Sequence, residues 1–182
     1  MIKAKIIKHI KGYIIGFAVF IILIPILIYG ISQVGYYSSH IKLFDSRLIK
    51  NIISTSFFSI GLIFVVWSNI YLFIIGQGGP ADVFNIAISP RSKKLVVAGP
   101  YRFTRNPMVF GMNSIYFSIA TYLNSLIALI FVVFFFLVII IYIKLTEEKR
   151  LLNDFGEEYL EYKRKVSMII PFLPKQSKNQ KN

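Results

Sequence analysis

The sequence predicts an all-α, polytopic membrane protein with about four transmembrane helices. Hydrophobic residues make up 55% of the 182 residues and charged residues only 16%, whereas water-soluble domains carry about 25% charged residues. The apolar residues are also grouped in long runs, as in segments that cross a bilayer. Cysteine is absent and the two histidines, His9 and His40, lie outside the motif-rich segments, so thiolate chemistry, histidine base catalysis and a metal site are not expected.

Four apolar runs predict the helices, over residues 13–31, 52–75, 108–122 and 126–145. The first run is longer than the core of a signal peptide, about 7–15 residues, and contains Pro25, which predicts a kink. The third run is short, since a hydrocarbon core of about 30 Å takes about 20 helical residues. It forms a hairpin with the fourth run.

Residues 1–175 are expected to form one membrane-embedded domain in which polar segments alternate with the helices. Residues 76–107 form a long loop rich in glycine and proline, a candidate cofactor loop. An amphipathic helix on the membrane surface is predicted over 147–168, with Gly156 as a possible break. Its apolar positions recur near helical spacing, at Leu151, Leu152, Phe155, Tyr159, Tyr162 and Val166. Residues 176–182 are expected to be a disordered tail.

The distribution of basic residues predicts the orientation. Of the 21 lysines and arginines, only Lys42, Arg47 and Lys50 lie in the first loop, which leaves 18 in the N-terminus, the second loop and the C-terminal part. The positive-inside rule places those 18, and both termini, in the cytoplasm. The net charge of +13 would also attract anionic headgroups of membrane lipids. Since charge alone is weak evidence for a nucleic-acid partner, none is expected.

Two polar segments flank the predicted hairpin and are the candidates for chemistry. Arg102 and Arg105, three residues apart, can bind a carboxylate or a phosphate; alternatively they only anchor the loop at lipid headgroups. Glu147 and Glu148 are adjacent carboxylates that repel unless a cation lies beside them; alternatively they are a solvated pair neutralised by nearby basic residues. Because the hairpin is short, both segments should meet as one cytoplasmic site with a basic and an acidic wall, suited to a zwitterionic ligand.

These segments resemble a known superfamily. Residues 99–108, GPYRFTRNPM, followed by Gly111, resemble the G-P-Y-R-(Y/F)-x-R-(H/N)-P-M-Y-x-G block of the isoprenylcysteine carboxyl methyltransferases and phospholipid methyltransferases. Residues 147–166, from Glu147-Glu148 to Val166, resemble its second block, which ends near Pro171. The resemblance covers about residues 76–171, and the two blocks stand in the correct order around a helical hairpin.

The resemblance implies a membrane methyltransferase that transfers a methyl group from S-adenosylmethionine to a lipid-like or lipidated acceptor, a carboxylate or an amine. It implies a cytoplasmic cofactor pocket closed by the C-terminal segment. The implied cofactor-binding residues are Lys93, Lys94, Leu95, Val96, Gly99, Tyr101, Asn106, Pro107, Met108, Val109, Glu147 and Glu148. The candidate catalytic residues are Arg105, Asn106 and Glu148.

Two positions depart from the usual pattern. Asn106 stands where the eukaryotic prenylcysteine enzymes have histidine, and Val109 where tyrosine is usual. Asparagine can form hydrogen bonds with a ligand but cannot act as a base. The absence of histidine and cysteine from the candidate site favours an acceptor that is already a nucleophile, such as a carboxylate. An amine must first lose a proton, which Glu147 or Glu148 could accept if burial raised its pKa.

Three other interpretations stay open at the level of the sequence. One is phospholipid N-methylation specifically. Another is a non-catalytic membrane protein whose basic loops bind anionic lipid, and a third is a nicotinamide-dependent reductase of the steroid-reductase type. In each case we expect an integral protein of a bacterial plasma membrane.

Overall fold

The structure, a computed structural model, describes residues 2–38, 41–79, 82–83, 86–87 and 90–173. His40 and the predicted tail lie outside the described residues. The α-helices are α1 Ile2–Gly16, α2 Ile24–Ser38, α3 Arg47–Ile74, α4 Pro107–Tyr122, α5 Leu126–Tyr142 and α6 Glu148–Lys165. The loop before α4 contains two antiparallel two-residue strands, β1 Asp82–Val83 and β2 Ile86–Ala87, and a 3-10 turn, Gly99–Arg102.

Three helical runs of the described chain are long and apolar enough to cross a membrane: Ile10–Tyr37, Arg47–Ile74 and Leu126–Lys165. The remaining helix, α4, has 16 residues and is about 24 Å long at 1.5 Å per residue. It is therefore shorter than the hydrocarbon core, as the short third run of the sequence indicates. The structure thus contains three long helical runs, with α4 packed beside them.

The first and last helical runs are longer than the apolar runs predicted. In each of them a π-helical segment connects two α-helices without a break. Phe17–Leu23 links α1 to α2, so the first helical run extends over residues 2–38 and not 13–31. This segment ends just before Pro25, which has no N–H to continue the hydrogen-bond ladder. Ile143–Glu147 links α5 to α6 in the same way. The chain therefore stays helical past residue 145, although it becomes polar there.

Small residues bring α3 and α4 into close contact. A Cβ atom added to Gly61 would lie 2.6 Å from the carbonyl oxygen of Gly111, and one added to Gly111 would lie 2.7 Å from that of Gly61. Two turns away, the Ser54 hydroxyl donates to the carbonyl of Ser118 at 3.0 Å. Backbones approach this closely in membranes where side chains are small. The contact aligns the start of α4 with the end of α3, where the site lies.

The opposite ends of the helices are tied by Asn124, which follows α4 with a φ of 54°. Its Oδ1 accepts hydrogen bonds from the backbone N–H groups of Leu43 and Phe44, at 3.1 and 2.9 Å, and its Nδ2 donates to Phe44 O at 2.9 Å. The Tyr116 hydroxyl donates to Phe20 O at 2.9 Å and so attaches α4 to the first helical run. The Asn124 bonds fix the scaffold at the end remote from the site, and the Tyr116 bond joins the middle of α4 to the first helical run.

Candidate functional site

Glycines at the end of α3 allow two segments of the loop to run side by side. The N–H of Gly79 donates to Pro90 O at 2.9 Å, and the N–H of Lys93 donates to Gly76 O at 2.8 Å. A Cβ atom on Gly78 would lie 2.7 Å from the Ser92 backbone nitrogen. Only glycine permits this approach without displacing the backbone. Glycine is therefore required at positions 76 and 78 to bring residues 90–93 against the end of α3.

Gly99 begins the 3-10 turn that carries the first motif block. Its φ is +60°, and a Cβ atom there would lie 2.5 Å from the ring of Tyr71 on α3. Both the backbone angle and the close contact favour glycine. Pro100, the next residue, is buried. The block is thus folded tightly over the last turns of α3, which places Tyr101 and Arg105 beside the start of α4.

A cavity of about 160 Å³ lies between the end of α3, the loop, the start of α4 and the α5–α6 run. It brings together ten of the residues singled out in the sequence: Lys94, Leu95, Val96, Tyr101, Arg105, Asn106, Pro107, Met108, Val109 and Glu147. The remaining lining residues were not predicted as site residues: Leu72, Gly79, Pro90, Arg91, Ser92, Arg150, Leu151, Phe155 and Tyr162. The two motif blocks, about 40 positions apart in the sequence, therefore form one site.

Three predicted site residues do not line the cavity. Lys93 contributes its backbone N–H to the loop pairing, and Gly99 supports the turn. Glu148 is buried behind the cavity wall, 6% exposed. Its Oε1 lies 2.6 Å from Arg105 Nη1, and its Oε2 accepts from Lys163 Nζ at 2.6 Å. Because no described donor is aligned with Oε1, the Arg105 contact is an ion pair without a well-formed hydrogen bond.

Glu148 holds Arg105 in position at the cavity wall. The Arg105 and Glu148 side chains are each 7% exposed, whereas that of Lys163 is 45% exposed. Arg105 also donates to the Tyr159 hydroxyl at 3.1 Å. Its Nε is buried and has no hydrogen-bond partner among the described residues. Arg105 lines the cavity, and the positive charge of its guanidinium suits an anionic ligand group.

A C-terminal strap, residues 166–173, crosses the first motif block. The N–H of Arg105 donates to Ser167 O at 2.9 Å, and Phe172 N–H donates to Phe103 O at 3.0 Å. Asn106 Nδ2 donates to Met168 O at 2.9 Å. The amide donor of this predicted catalytic residue is thus engaged with the strap. Nothing in the periodicity indicated this pairing; the only signal was that the second motif block ends near residue 171.

The apolar stripe of α6 packs against the protein itself. Tyr159, Tyr162 and Val166 form a buried cluster whose neighbours include Leu95 and Phe155. The Tyr162 hydroxyl donates to the carbonyl of Tyr101 at 2.6 Å. The stripe therefore closes the cavity from the C-terminal side, whereas the sequence suggested that it lies on the membrane surface.

Two further features affect the shape and the hydrogen bonding of this part of the cavity. Gly156, at φ 53° and ψ −127°, bends α6 at the position where a break was anticipated. Burial raises the pKa of the Tyr101 phenol well above its usual value, and the nearby Glu147 raises it further. The Tyr101 hydroxyl therefore stays protonated at neutral pH and is available as a hydrogen-bond donor.

Comparison with known proteins identifies the family of this chain. The sequence model described as phospholipid methyltransferase matches residues 49–158, well over half of the chain. This chain belongs to the phospholipid methyltransferase family. No curated protein and no solved structure gives a significant match. The resemblance carried by the two motif blocks is thereby confirmed, and the match includes the first block and the Glu147-Glu148 pair.

As a phospholipid methyltransferase family member with three long apolar helical runs, the chain is an integral membrane protein of a methyltransferase family. Its cavity is lined by four basic residues, Arg91, Lys94, Arg105 and Arg150, and by one carboxylate, that of Glu147. Within the described residues, no group of three or more histidine, aspartate or glutamate side chains could hold a metal ion.

Proposed function

We propose that this protein transfers a methyl group from S-adenosylmethionine to a lipid-like or lipidated acceptor. The observation that carries the proposal is the cavity in which both motif blocks meet. Its wall includes Leu72, in the last turn of α3, and Met108 and Val109, in the first turn of α4. A site at the ends of membrane helices is accessible to an acceptor whose apolar tail remains in the bilayer.

The residues of the cavity fit S-adenosylmethionine chemically. Arg105 lines the cavity with a positive charge suited to a carboxylate, and Glu147 offers an acceptor suited to an ammonium group or ribose hydroxyls. Leu95, Val96 and Phe155 provide apolar surface for a purine ring. When bound, S-adenosylmethionine supplies a methyl group already activated on a sulfonium.

Because the donor is activated, the chain mainly has to orient the reactants and exclude water. Arg105 is fixed by Glu148 and Tyr159, so its guanidinium is preorganised. Tyr162 lines the cavity on its C-terminal side, and the strap holds Asn106 through the carbonyl of Met168. The Tyr101 hydroxyl, protonated at neutral pH, can donate to a ligand oxygen. None of these roles requires a histidine or a cysteine.

The acceptor is a carboxylate or an amine. A carboxylate is ionised at neutral pH and needs no base. For an amine, Glu147 is the lining carboxylate that can accept the proton. Treatment with strong alkali distinguishes the two products. A methyl ester is hydrolysed and releases volatile methanol, whereas a methylated amine retains its methyl group.

Phospholipid N-methylation is the second candidate for the reaction. It is favoured by the family description and by the basic residues of the cavity lining, of which Arg91, Lys94 and Arg150 suit a headgroup phosphate. Lipid extracts of expressing cells would then contain methylated phosphatidylethanolamine. Extracts without methylated ethanolamine lipids would exclude this acceptor but leave the carboxylate acceptor open.

We also propose that the site faces the cytoplasm, with both termini on that side. The support is the imbalance of 18 basic residues against three in the first loop, together with the positive-inside rule. The first loop is bound to Asn124, at the end of the helices opposite the cavity. The basic loop and α6 therefore share one end of the bundle.

Binding of S-adenosylhomocysteine tests the cofactor proposal. Glu147→Gln is expected to weaken this binding about tenfold, because a charge-assisted hydrogen bond is lost, which corresponds to about 1.4 kcal/mol. Glu158→Gln, on the exposed side of α6, is the matched control and should leave the affinity unchanged. Titration calorimetry with purified protein measures both. Absence of binding by the unaltered protein would contradict the proposal.

A further inference from the structure

The strap presents a row of apolar side chains that the rest of the described chain leaves uncovered. Ile170, Phe172 and Leu173 are 58%, 63% and 81% exposed, whereas Val166 and Ile169 of the same segment are buried. The buried residues pack the strap onto the protein, and the exposed ones point away from it. An exposed apolar cluster of this kind marks a surface that meets a partner or a membrane.

The strap lies at the depth of the end of α3. Phe172 N–H donates to the carbonyl of Phe103, and the Phe103 ring lies 6.2 Å from the Trp67 ring, centroid to centroid. Trp67 precedes the last residue of α3, Ile74, by seven positions, about 10 Å along the axis. Helical side chains lean toward the N-terminus, which places the indole deeper still. The strap is therefore level with the final turns of a membrane helix.

This depth corresponds to the lipid–water boundary. α3 has 28 residues and is about 42 Å long, whereas the hydrocarbon core is about 30 Å thick. The ends of α3 therefore extend into the headgroup region. Trp67 and Tyr71, 6.3 Å apart, are the aromatic residue types enriched at that boundary.

We propose that Ile170, Phe172 and Leu173 insert into the headgroup–acyl boundary of the leaflet onto which the cavity opens. The occupant of this surface is membrane lipid. Charge is complementary, because Lys175, Lys178 and Lys181 follow in the sequence, outside the described residues, and anionic headgroups attract such lysines. Apolar insertion and basic charge together are the two signals that a stable membrane contact requires. The proposal stands independently of which methyl acceptor the protein uses.

The contact has a consequence for the site. The strap that carries the three apolar side chains also bonds Arg105 and Asn106 through its own carbonyls. Lipid that holds the strap at the boundary therefore also holds these two cavity-lining residues in place.

The absence of cysteine makes a site-specific test direct. Leu173→Cys is labelled with an environment-sensitive fluorophore, and the full chain is reconstituted in phosphatidylcholine–phosphatidylglycerol vesicles that contain lipids spin-labelled near the headgroup. Glu161→Cys is the matched control, because the Glu161 side chain is 63% exposed and its carboxylate pairs with Lys165. We expect at least threefold stronger quenching at position 173 than at position 161.

Equal, weak quenching at both positions would overturn the proposal. So would fluorescence self-quenching at position 173 that disappears on dilution with lipid, since a second copy of the chain would then be the occupant. Ile170→Cys provides a second probe should the label at 173 disturb the strap. It should give the same strong quenching, and a water-like signal at both strap positions would contradict the inference.

Discussion

Replacing Glu148 by glutamine is expected to lower the free energy of unfolding by about 3 kcal/mol, the lower end of the cost of breaking a buried ion pair from one side. The change leaves the Arg105 guanidinium without its counter-charge while its side chain is only 7% exposed. Since Arg105 lines the cavity, S-adenosylhomocysteine affinity should fall as well. Denaturant titration in detergent and calorimetry measure the two effects.

Lys163→Met is the matched control for this network. Lys163 binds the other oxygen of the same carboxylate, but its side chain is 45% exposed, and exposed ion pairs contribute at most about 1 kcal/mol. The variant should therefore retain both stability and ligand affinity within that margin. If Lys163→Met lowered stability and ligand affinity as much as Glu148→Gln does, Arg105 would not be the partner through which Glu148 acts.

The second large effect concerns the packing of α3 on α4. Gly61→Ala should lower the free energy of unfolding by about 2 kcal/mol, because the added methyl group would meet the Gly111 carbonyl at 2.6 Å and force the helices apart. The displacement also separates Leu72 from Met108 across the cavity. We therefore expect a fall in ligand affinity, although Gly61 lies far from the cavity lining.

Gly30→Ala controls for the loss of glycine in a membrane helix. Gly30 lies in α2, and a Cβ atom there meets nothing within 4 Å. Since alanine favours helix more than glycine, this change should be neutral or stabilise the fold by up to about 1 kcal/mol. The two variants are compared by thermal denaturation in the same detergent. A stable, ligand-binding Gly61→Ala protein would contradict the described helix contact.

Three of the four apolar runs largely coincide with the three helical runs that are long and apolar enough to cross a membrane, because hydropathy depends on side chains alone. The apolar run over residues 108–122 predicted a short helix, and α4 has 16 residues in the structure. The π-helical segments were not predictable in this way. They change which backbone groups pair, while the apolar pattern of residues 17–23 stays the same. Polarity after residue 145 therefore suggested a helix end where the backbone continues.

The candidate site, too, was only partly predictable from the sequence. Spacing around the hairpin correctly placed the first block beside Glu147, and the structure joins them in one cavity. It could not separate the roles of Glu147 and Glu148, which are adjacent in the sequence but point about 100° apart on a helix. Nor could it identify Lys163 as a partner of Glu148, because that contact depends on the bend at Gly156 and the return of α6 over the loop.

Transfer of a labelled methyl group from S-adenosylmethionine to lipid tests the central claim most directly. Purified protein in vesicles made from bacterial lipid extract is incubated with methyl-labelled donor, and the organic phase is counted. We expect label in the lipid fraction that is reduced at least tenfold by Glu148→Gln and unchanged by Glu158→Gln. Label absent from the lipid fraction, or transfer that is unaffected by Glu148→Gln, would contradict the assignment of this cavity as the methyltransferase site.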